Sequence, residues 1–509
     1  MFAKVVQVNP GTLVVRVDGN FNIGMGHLMR CLALAHAWQG FGGQIVFAIA
    51  ADSAAAGNRL KGEGVEVVQL SALTGSESDS QQLLKLATSC HASWVVLDGY
   101  QFSSSYQRCL KEAQLQLLVV DDYGHASEYW ADLIVNQNLH ATESLYRSRQ
   151  PYTRLLLGTR YVLLRREFLR YLDWRREIAE RAHKVLITLG GSDKHNVTLQ
   201  IMRSLESIEI SAIEGVIVVA DTNPHHSELA NEIQGANIPW KVHHGGKDMP
   251  GLMAWADLAV SGGGTTAWEL AFMRVPAALI IMADNQEPIV NSLAAHGACV
   301  SLGRDPFALD TSHPIMLRDL LGDKKRRQKL AMGGRMMVDG MGARRVLEAM
   351  RGLCVNVRRA SRDDGELLWR WANEQHVRAM SFSRDPISWD VHIQWLEKKL
   401  QDPSCHLFVF SNSLGIPVGQ VRFDLDDKEA ELHVSVDSMY RGQGLGSTII
   451  RLAVEELMSV VPIRQVHAFV RPENQSSVRA FERASFRPMS NTLRSGVEAI
   501  HLTKTGNCD

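Results

Sequence analysis

Through roughly the first 350 residues, short runs of β-branched and aliphatic residues alternate with amphipathic helical stretches, and this alternation narrows the fold more than any motif. Thr12–Val17 (TLVVRV), Gln44–Ala50 (QIVFAIA), Trp94–Asp98 (WVVLD) and Leu115–Asp122 (LQLLVVDD) read as continuously buried strands of a parallel sheet. A second series begins at Lys184–Gly191 (KVLITLGG) and continues at Glu214–Ala220 (EGVIVVA) and Asp257–Gly264 (DLAVSGGG). Between the two series, Arg165–Lys184 is predicted as a polar, arginine-rich helix. The expected architecture is two Rossmann-like α/β halves, residues 1–165 and 166–352. Open sheets of this kind bind ligands beyond the carboxyl ends of their strands, so the expected site is a cleft between the halves.

After Arg344–Gly352 the pattern changes. Cys354–Ser361 is predicted as a new first strand, followed by a helix around Leu367–Trp371. His406–Asn412, Ile416–Leu425 and Ala430–Val436 then read as an antiparallel meander. Residues 353–509 therefore form a third, α+β domain of ordinary size.

With 45% hydrophobic and 21% charged residues the chain is globular rather than disordered or fibrous. Its 54 basic and 55 acidic residues nearly cancel, so neither nucleic acid nor an anionic membrane is an expected partner. The seven cysteines (Cys31, Cys90, Cys109, Cys299, Cys354, Cys405 and Cys508) are scattered without a C-x-x-C pair. That usage suits a reducing, cytoplasmic setting and argues against a disulfide framework or zinc site. The first residues lack signal-peptide character, and the apolar segment Val275–Ala283 is too short to span a bilayer as a helix. No histidine and carboxylate cluster has metal-ligand spacing, so no metal is expected. Oligomeric state is not legible.

Three glycine-rich turns stand at strand ends. The first, Asp18 to His27 (DGNFNIGMGH), runs into a helix that begins near His27. Gly24 and Gly26 allow close approach of a ligand, and the free amides of a helix start favour an anion. His27 beside such a site has the makings of a general base, or is simply a histidine at a helix cap. The second, Ser261 to Leu270 (SGGGTTAWEL), supplies Gly263, Gly264, Ser261, Thr265 and Thr266 for a diphosphate, and Glu269 as an acceptor for a ribose. The third, Leu189 to Asn196 (LGGSDKHN), brings Gly190, Gly191 and Ser192 to the same cleft.

These motifs, with Leu97–Tyr100 (LDGY), Leu156–Phe168 (LLGTRYVLLRREF), Ala283–Gln286 (ADNQ) and Asp339–Val346 (DGMGARRV), resemble the UDP-sugar hydrolase of pseudaminic acid biosynthesis. That family releases UDP from UDP-2,4-diacetamido-2,4,6-trideoxy-β-L-altropyranose and is related to the GT-B glycosyltransferases. The resemblance covers residues 10–350. It implies that His27 activates water, that Tyr100 and Asn285 line the sugar and water site, that Glu269 holds the ribose, and that Asp18 and Gln286 belong to the UDP-sugar site. It also implies that no metal is needed.

In the third domain, Val436–Leu457 (VDSMYRGQGLGSTIIRLAVEEL) reads as strand, tight loop and long helix. Arg441, Gly442, Gln443, Gly444, Leu445 and Gly446 resemble the acetyl-CoA pyrophosphate loop of the GCN5-related N-acetyltransferases, with Asn474 in the turn that follows the next strand. Seven residues after Asn474 many members carry a tyrosine that protonates the departing thiolate, but this chain has Phe481. Water, Tyr440 or another group does that work, or the thiolate leaves unaided. Glu431 is the candidate base for the amine, or a solvent-facing strand carboxylate. Trp389, His392 and Trp395 are candidates for a substrate pocket, and Asp424–Asp427 (DLDD) is predicted as a hairpin turn. The combined expectation is a fusion that 4-N-acetylates a UDP-4-amino-sugar and then hydrolyses off UDP. The competing expectation is a GT-B glycosyltransferase with a non-catalytic C-terminal module.

Overall fold

The computed structural model describes residues 10–19, 25–51, 53–190, 193–208, 213–220, 223–245, 248–304, 312–351, 355–412, 415–441, 445–494 and 496–506. Gly24, Gly191, Ser192, Gly442, Gln443 and Gly444 lie outside the described residues. The chain divides into a unit spanning Val8–Met350 and a second one holding Arg351–Asp509.

The first unit contains two sheets. Strands β1 (Thr12–Val17), β2 (Gln44–Ala50), β3 (Glu66–Leu70), β4 (Ala92–Asp98), β5 (Leu117–Val120), β6 (Leu133–Asn136) and β7 (Arg154–Leu157) form a parallel sheet in the order β3-β2-β1-β4-β5-β6-β7. Strands β8 (Lys184–Thr188), β9 (Glu214–Val219), β10 (Trp240–His244), β11 (Leu258–Gly262), β12 (Ala277–Ile281) and β13 (Val300–Arg304) form the other, also parallel, in the order β10-β9-β8-β11-β12-β13. Strand order reverses beside β1 in one sheet and beside β8 in the other, and those switch points are where a crevice opens. Every residue of β1, β5 and β6 is buried, as the unbroken aliphatic runs require.

Two expectations needed correction. Arg165–Lys184 is not a long helix. A 3-10 turn at Arg166–Tyr171 gives way to irregular chain, because Arg176 reaches the backbone carbonyls of Met253, Ala256 and Met273 at helix ends of the second half. Burial lowers the Arg176 guanidinium to about 10. The second half also does not run to residue 352. Its last helix, Gly342–Met350, returns to the first half, where Val346, Leu347 and Met350 join the core of Leu28, Leu32 and Trp38.

The second unit is one seven-stranded sheet with helices. Strands β14 (Val355–Arg359), β15 (Cys405–Asn412), β16 (Pro417–Asp426), β17 (Glu429–Val436), β18 (Gln465–Val470), β19 (Arg487–Arg494) and β20 (Val497–Thr505) are ordered β14-β15-β16-β17-β18-β20-β19. All pairings are antiparallel except β17 with β18, which run parallel and pair only at Glu429–Glu431 against Gln465–His467. Asp427, at φ +53°, turns the hairpin as predicted, but Asp424 remains inside β16.

Candidate functional site

The helix Gly26–Gly40 follows β1 and begins where the first strand order reverses. His27 and Arg30 share one face of its first turn, three residues apart. Asp98 ends β4, and Asp122 lies just beyond β5. Because β4 neighbours both β1 and β5, these side chains converge. His27 Nδ1 lies 2.6 Å from Asp98 Oδ1. Arg30 donates from Nε to Asp98 Oδ2 and from Nη2 to Asp98 Oδ1, both at 2.7 Å, and from Nη1 to Asp122 Oδ1 at 2.8 Å. Asn138 adds a 2.9 Å bond to Asp122 Oδ1. Burial pushes both carboxyls up, but Arg30 outweighs it, so Asp98 is held below the usual carboxylate range and Asp122 well below it. An ionised Asp98 requires the proton on His27 Nδ1, which leaves Nε2 with the lone pair that a base needs.

Tyr100 extends the network across the halves. Its hydroxyl donates to Asp122 Oδ2 at 2.7 Å and accepts from Asn285 Nδ2 at 3.0 Å. Burial and the charge of Asp122 hold the phenol well above its ordinary pKa, so it stays neutral. Its ring meets His27 edge-on at 5.2 Å. Asn285 sits in the 3-10 turn after β12.

The opposing wall is the helix Thr265–Phe272, after β11. Among the described residues neither this helix nor Gly26–Gly40 has a side-chain cap or an acidic residue in its first turn, so both starts present positive dipole ends. They meet closely, since a methyl group on Gly26 would lie 3.2 Å from Thr265 Oγ1. Gly263 is equally constrained, as a methyl there would come within 2.3 Å of Val290 Cγ2. Glu269 is buried, with Oε1 accepting from Arg165 Nε at 2.9 Å.

Several expected ligand groups are instead turned to the protein itself. Asp18 accepts from Arg16, the Ala50 amide and Thr74. The Ser261 hydroxyl donates to the Thr188 carbonyl at 2.8 Å. Gln286 Oε1 accepts from the amides of Gly263 and Met282, tying two loops together. At the third turn Gly190 adopts φ +84°, but Asp193 already occupies the start of the following helix through the amides of Val197 and Thr198. Among the described residues the helix start at Val197 is thus taken by Asp193, whereas those at Gly26 and Thr265 carry no side-chain cap. Arg30, Asp98 and Asp122 were missed as site residues, although Arg30 stands three residues after His27 and both aspartates stand at strand ends beside β1.

In the second unit a cavity of about 420 Å³ lies along β17, bounded by Arg441, Leu445, Gly446 and Asn474 among others. It reaches the starts of the helices Leu445–Val460 and Gln475–Arg483. Arg441 is anchored by Glu374 and the Val436 carbonyl, and Asn474 caps the second helix through the Ser477 amide. Phe481 is buried edge-to-face against Phe486, and Tyr440 belongs to the same core, so neither lines the cavity. Glu431, the candidate base, is paired with Arg494. Of the aromatic candidates, His392 bonds the Gly365 carbonyl at 3.0 Å, Trp389 packs on Trp369 and Trp395 lies under Arg422. They hold the Trp389–Gln401 helix in place rather than lining the cavity.

Among the described residues no group of three or more His, Cys, Asp or Glu is placed to hold a metal, and no helix is long and apolar enough to cross a membrane. Residues 355–487 match the model of the acetyltransferase (GNAT) domain. The second unit is a GNAT acetyltransferase domain. Over 93% of its length the chain is 21% identical to an uncharacterized protein of Methanocaldococcus jannaschii, covering 96% of it. It is 24% identical to the spore coat polysaccharide biosynthesis protein SpsG of Bacillus subtilis over 48% of this chain and 71% of that one. It is 23% identical to the UDP-2,4-diacetamido-2,4,6-trideoxy-β-L-altropyranose hydrolase of Campylobacter jejuni over 56% of this chain and 97% of that one. The chain is thus an enzyme that joins a region similar to a UDP-sugar hydrolase to a GNAT domain.

Proposed function

We propose that the GNAT domain transfers acetyl from acetyl-CoA to the 4-amino group of a UDP-linked amino-sugar. The Val8–Met350 unit then hydrolyses UDP from UDP-2,4-diacetamido-2,4,6-trideoxy-β-L-altropyranose. The observation that carries the hydrolase reading is the Asp98-oriented His27 beside two uncapped helix starts. In this reading the amides around Gly26, Gly264 and Thr265 hold the diphosphate, and Glu269 holds the ribose. His27 Nε2 takes a proton from water as the water oxygen bonds to the anomeric carbon. The bond from that carbon to the phosphate oxygen breaks, and UDP leaves with the electron pair. The transition state has oxocarbenium character, and the helix starts stabilise the charge growing on the diphosphate. Tyr100 and Asn285 line the sugar side. In the GNAT domain Arg441, Leu445, Gly446 and Asn474 border the acetyl-CoA site.

An amine and an acetamide differ in charge, and burying an unpaired ammonium costs several kcal/mol. A site built for the acetamide therefore rejects the free amine. The test is UDP release from a UDP-4-amino-sugar with and without acetyl-CoA and with no glycosyl acceptor. Slow release without acetyl-CoA, fast release with it and a mass gain of one acetyl group are expected. Equal rates overturn the ordered reading, and release only with an added acceptor favours a glycosyltransferase.

A further inference from the structure

A side-chain amide has a donor end and an acceptor end, and the bonds behind Asn285 decide which end faces Tyr100. Asn285 Nδ2 donates to Tyr100 Oη at 3.0 Å, and Tyr100 in turn donates to Asp122 Oδ2 at 2.7 Å. The far end of this row is fixed. Asp122 Oδ1 accepts from Arg30 Nη1 at 2.8 Å and from Asn138 Nδ2 at 2.9 Å. Burial opposes the charge of Asp122, but Arg30 holds the carboxyl well below its usual range, so no hydrogen resides there. Burial and the charge of Asp122 likewise keep the phenol protonated.

A carboxylate only accepts, so the one hydrogen of the phenol goes to Asp122. The phenol oxygen is left with lone pairs alone, and the group facing it must donate. That requires the NH₂ of Asn285 and turns Oδ1 away from Tyr100. Among the described residues Oδ1 has no hydrogen-bond partner. Arg304 pairs with both Asp284 and Glu287 and so braces the turn that carries Asn285. The Tyr100 ring meets His27 edge-on at 5.2 Å, so the row ends beside that imidazole.

We infer that Asp122 is a positioning residue for UDP release: through the Tyr100 hydroxyl it directs the oxygen of Asn285 to an N–H or O–H donor of the reactants. The inference rests on the hydrolase reading above. Asp122→Asn reverses the row. Arg30 is always a donor, so the oxygen of the introduced amide stays with Arg30 and its NH₂ faces Tyr100. The phenol accepts there and gives its hydrogen to Asn285, whose oxygen turns inward and whose NH₂ then meets the reactant donor.

The test is UDP release by the full-length protein from UDP-2,4-diacetamido-2,4,6-trideoxy-β-L-altropyranose, with UDP binding and urea unfolding measured on each variant. D122N lowers kcat/KM by roughly 10–100-fold, the worth of one hydrogen bond left unmet, and still binds UDP. A loss carried by KM places the donor on the sugar, and a loss carried by kcat places it on the attacking water. In the Y100F and N285A backgrounds D122N adds no further loss of kcat/KM, while its cost in unfolding remains. A role of Asp122 exerted through Arg30 would not give that split. Y100F and N285A together are no worse than N285A alone, a comparison that leaves Arg30 and Asp122 in place. Parent-like release by D122N, an undiminished D122N loss in Y100F, or losses of Y100F and N285A that multiply would each overturn the relay while the hydrolase reading stands. If the parent protein releases no UDP from this sugar, the hydrolase reading falls, and the relay with it.

Discussion

Replacing Asp98 by Asn separates orientation of His27 from its chemistry. The amide keeps the size of the carboxylate but removes the charge that receives His27 Nδ1 and two nitrogens of Arg30. With an NH₂ group towards the ring, the proton moves to Nε2, and the histidine can no longer accept one from water. A carboxylate-to-amide change behind a catalytic histidine costs about 10⁴-fold in kcat, or ~5.5 kcal/mol at 1.36 kcal/mol per tenfold. Arg30 loses one of its two carboxylates but keeps Asp122 at 2.8 Å. The stability cost therefore lies near the lower end of the range for a broken buried pair, about 3 kcal/mol. The assay is steady-state UDP release, with UDP binding and urea unfolding measured on the same variant. H27A alone slows release by roughly 10²–10⁴-fold and leaves UDP binding intact. In the H27A background D98N adds little further loss, because Asp98 acts through the ring that is gone. UDP release by D98N within tenfold of the parent rate, or losses that multiply in the double variant, would refute the reasoning.

Three further outcomes follow from the same geometry. Asp98 and Asp122 are held below the ordinary carboxylate value of about 3.9, so their contribution is full above that value and is lost as pH falls below it towards the folded-state values. Urea unfolding of D122N should accordingly lose less stability than the parent between about pH 5 and pH 3, and an identical acid limb would contradict the assignment. Gly263→Ala places a methyl 2.3 Å from Val290 Cγ2, which costs about 1–3 kcal/mol in unfolding experiments and raises the KM for UDP-sugar; a silent substitution would show that the loop is not held as described. Phe481→Tyr should not raise the acetyltransferase kcat, because residue 481 packs on Phe486 away from the cavity, and its buried hydroxyl costs about 1–3 kcal/mol. A clear rate gain in that variant would put residue 481 at the thiolate after all.

What the amino-acid sequence determined by itself was whatever depends on neighbours along the chain. A continuous aliphatic run such as Leu117–Val120 can be satisfied only by burial on both faces, so parallel α/β halves were legible from periodicity. Glycines before helix starts marked His27, Gly263 and the Arg441 to Gly446 loop for similar local reasons. Periodicity could not say that Arg165–Lys184 would run irregularly along helix ends, or that Gly342–Met350 would cross back to the first half. Those outcomes depend on carbonyls and apolar faces supplied from elsewhere. The same limit applied to chemistry. His27 meets Asp98 across 71 positions and Tyr100 meets Asn285 across 185, contacts set by which strands lie side by side. Tertiary structure alone decided that Asp18, Ser261 and Gln286 spend their polar atoms inside the protein, that Asp193 fills its own helix start, and that Glu431 is tied to Arg494. A polar side chain bonds to whatever the fold brings within about 3 Å, and that neighbourhood is a property of the packed chain rather than of any short stretch of it.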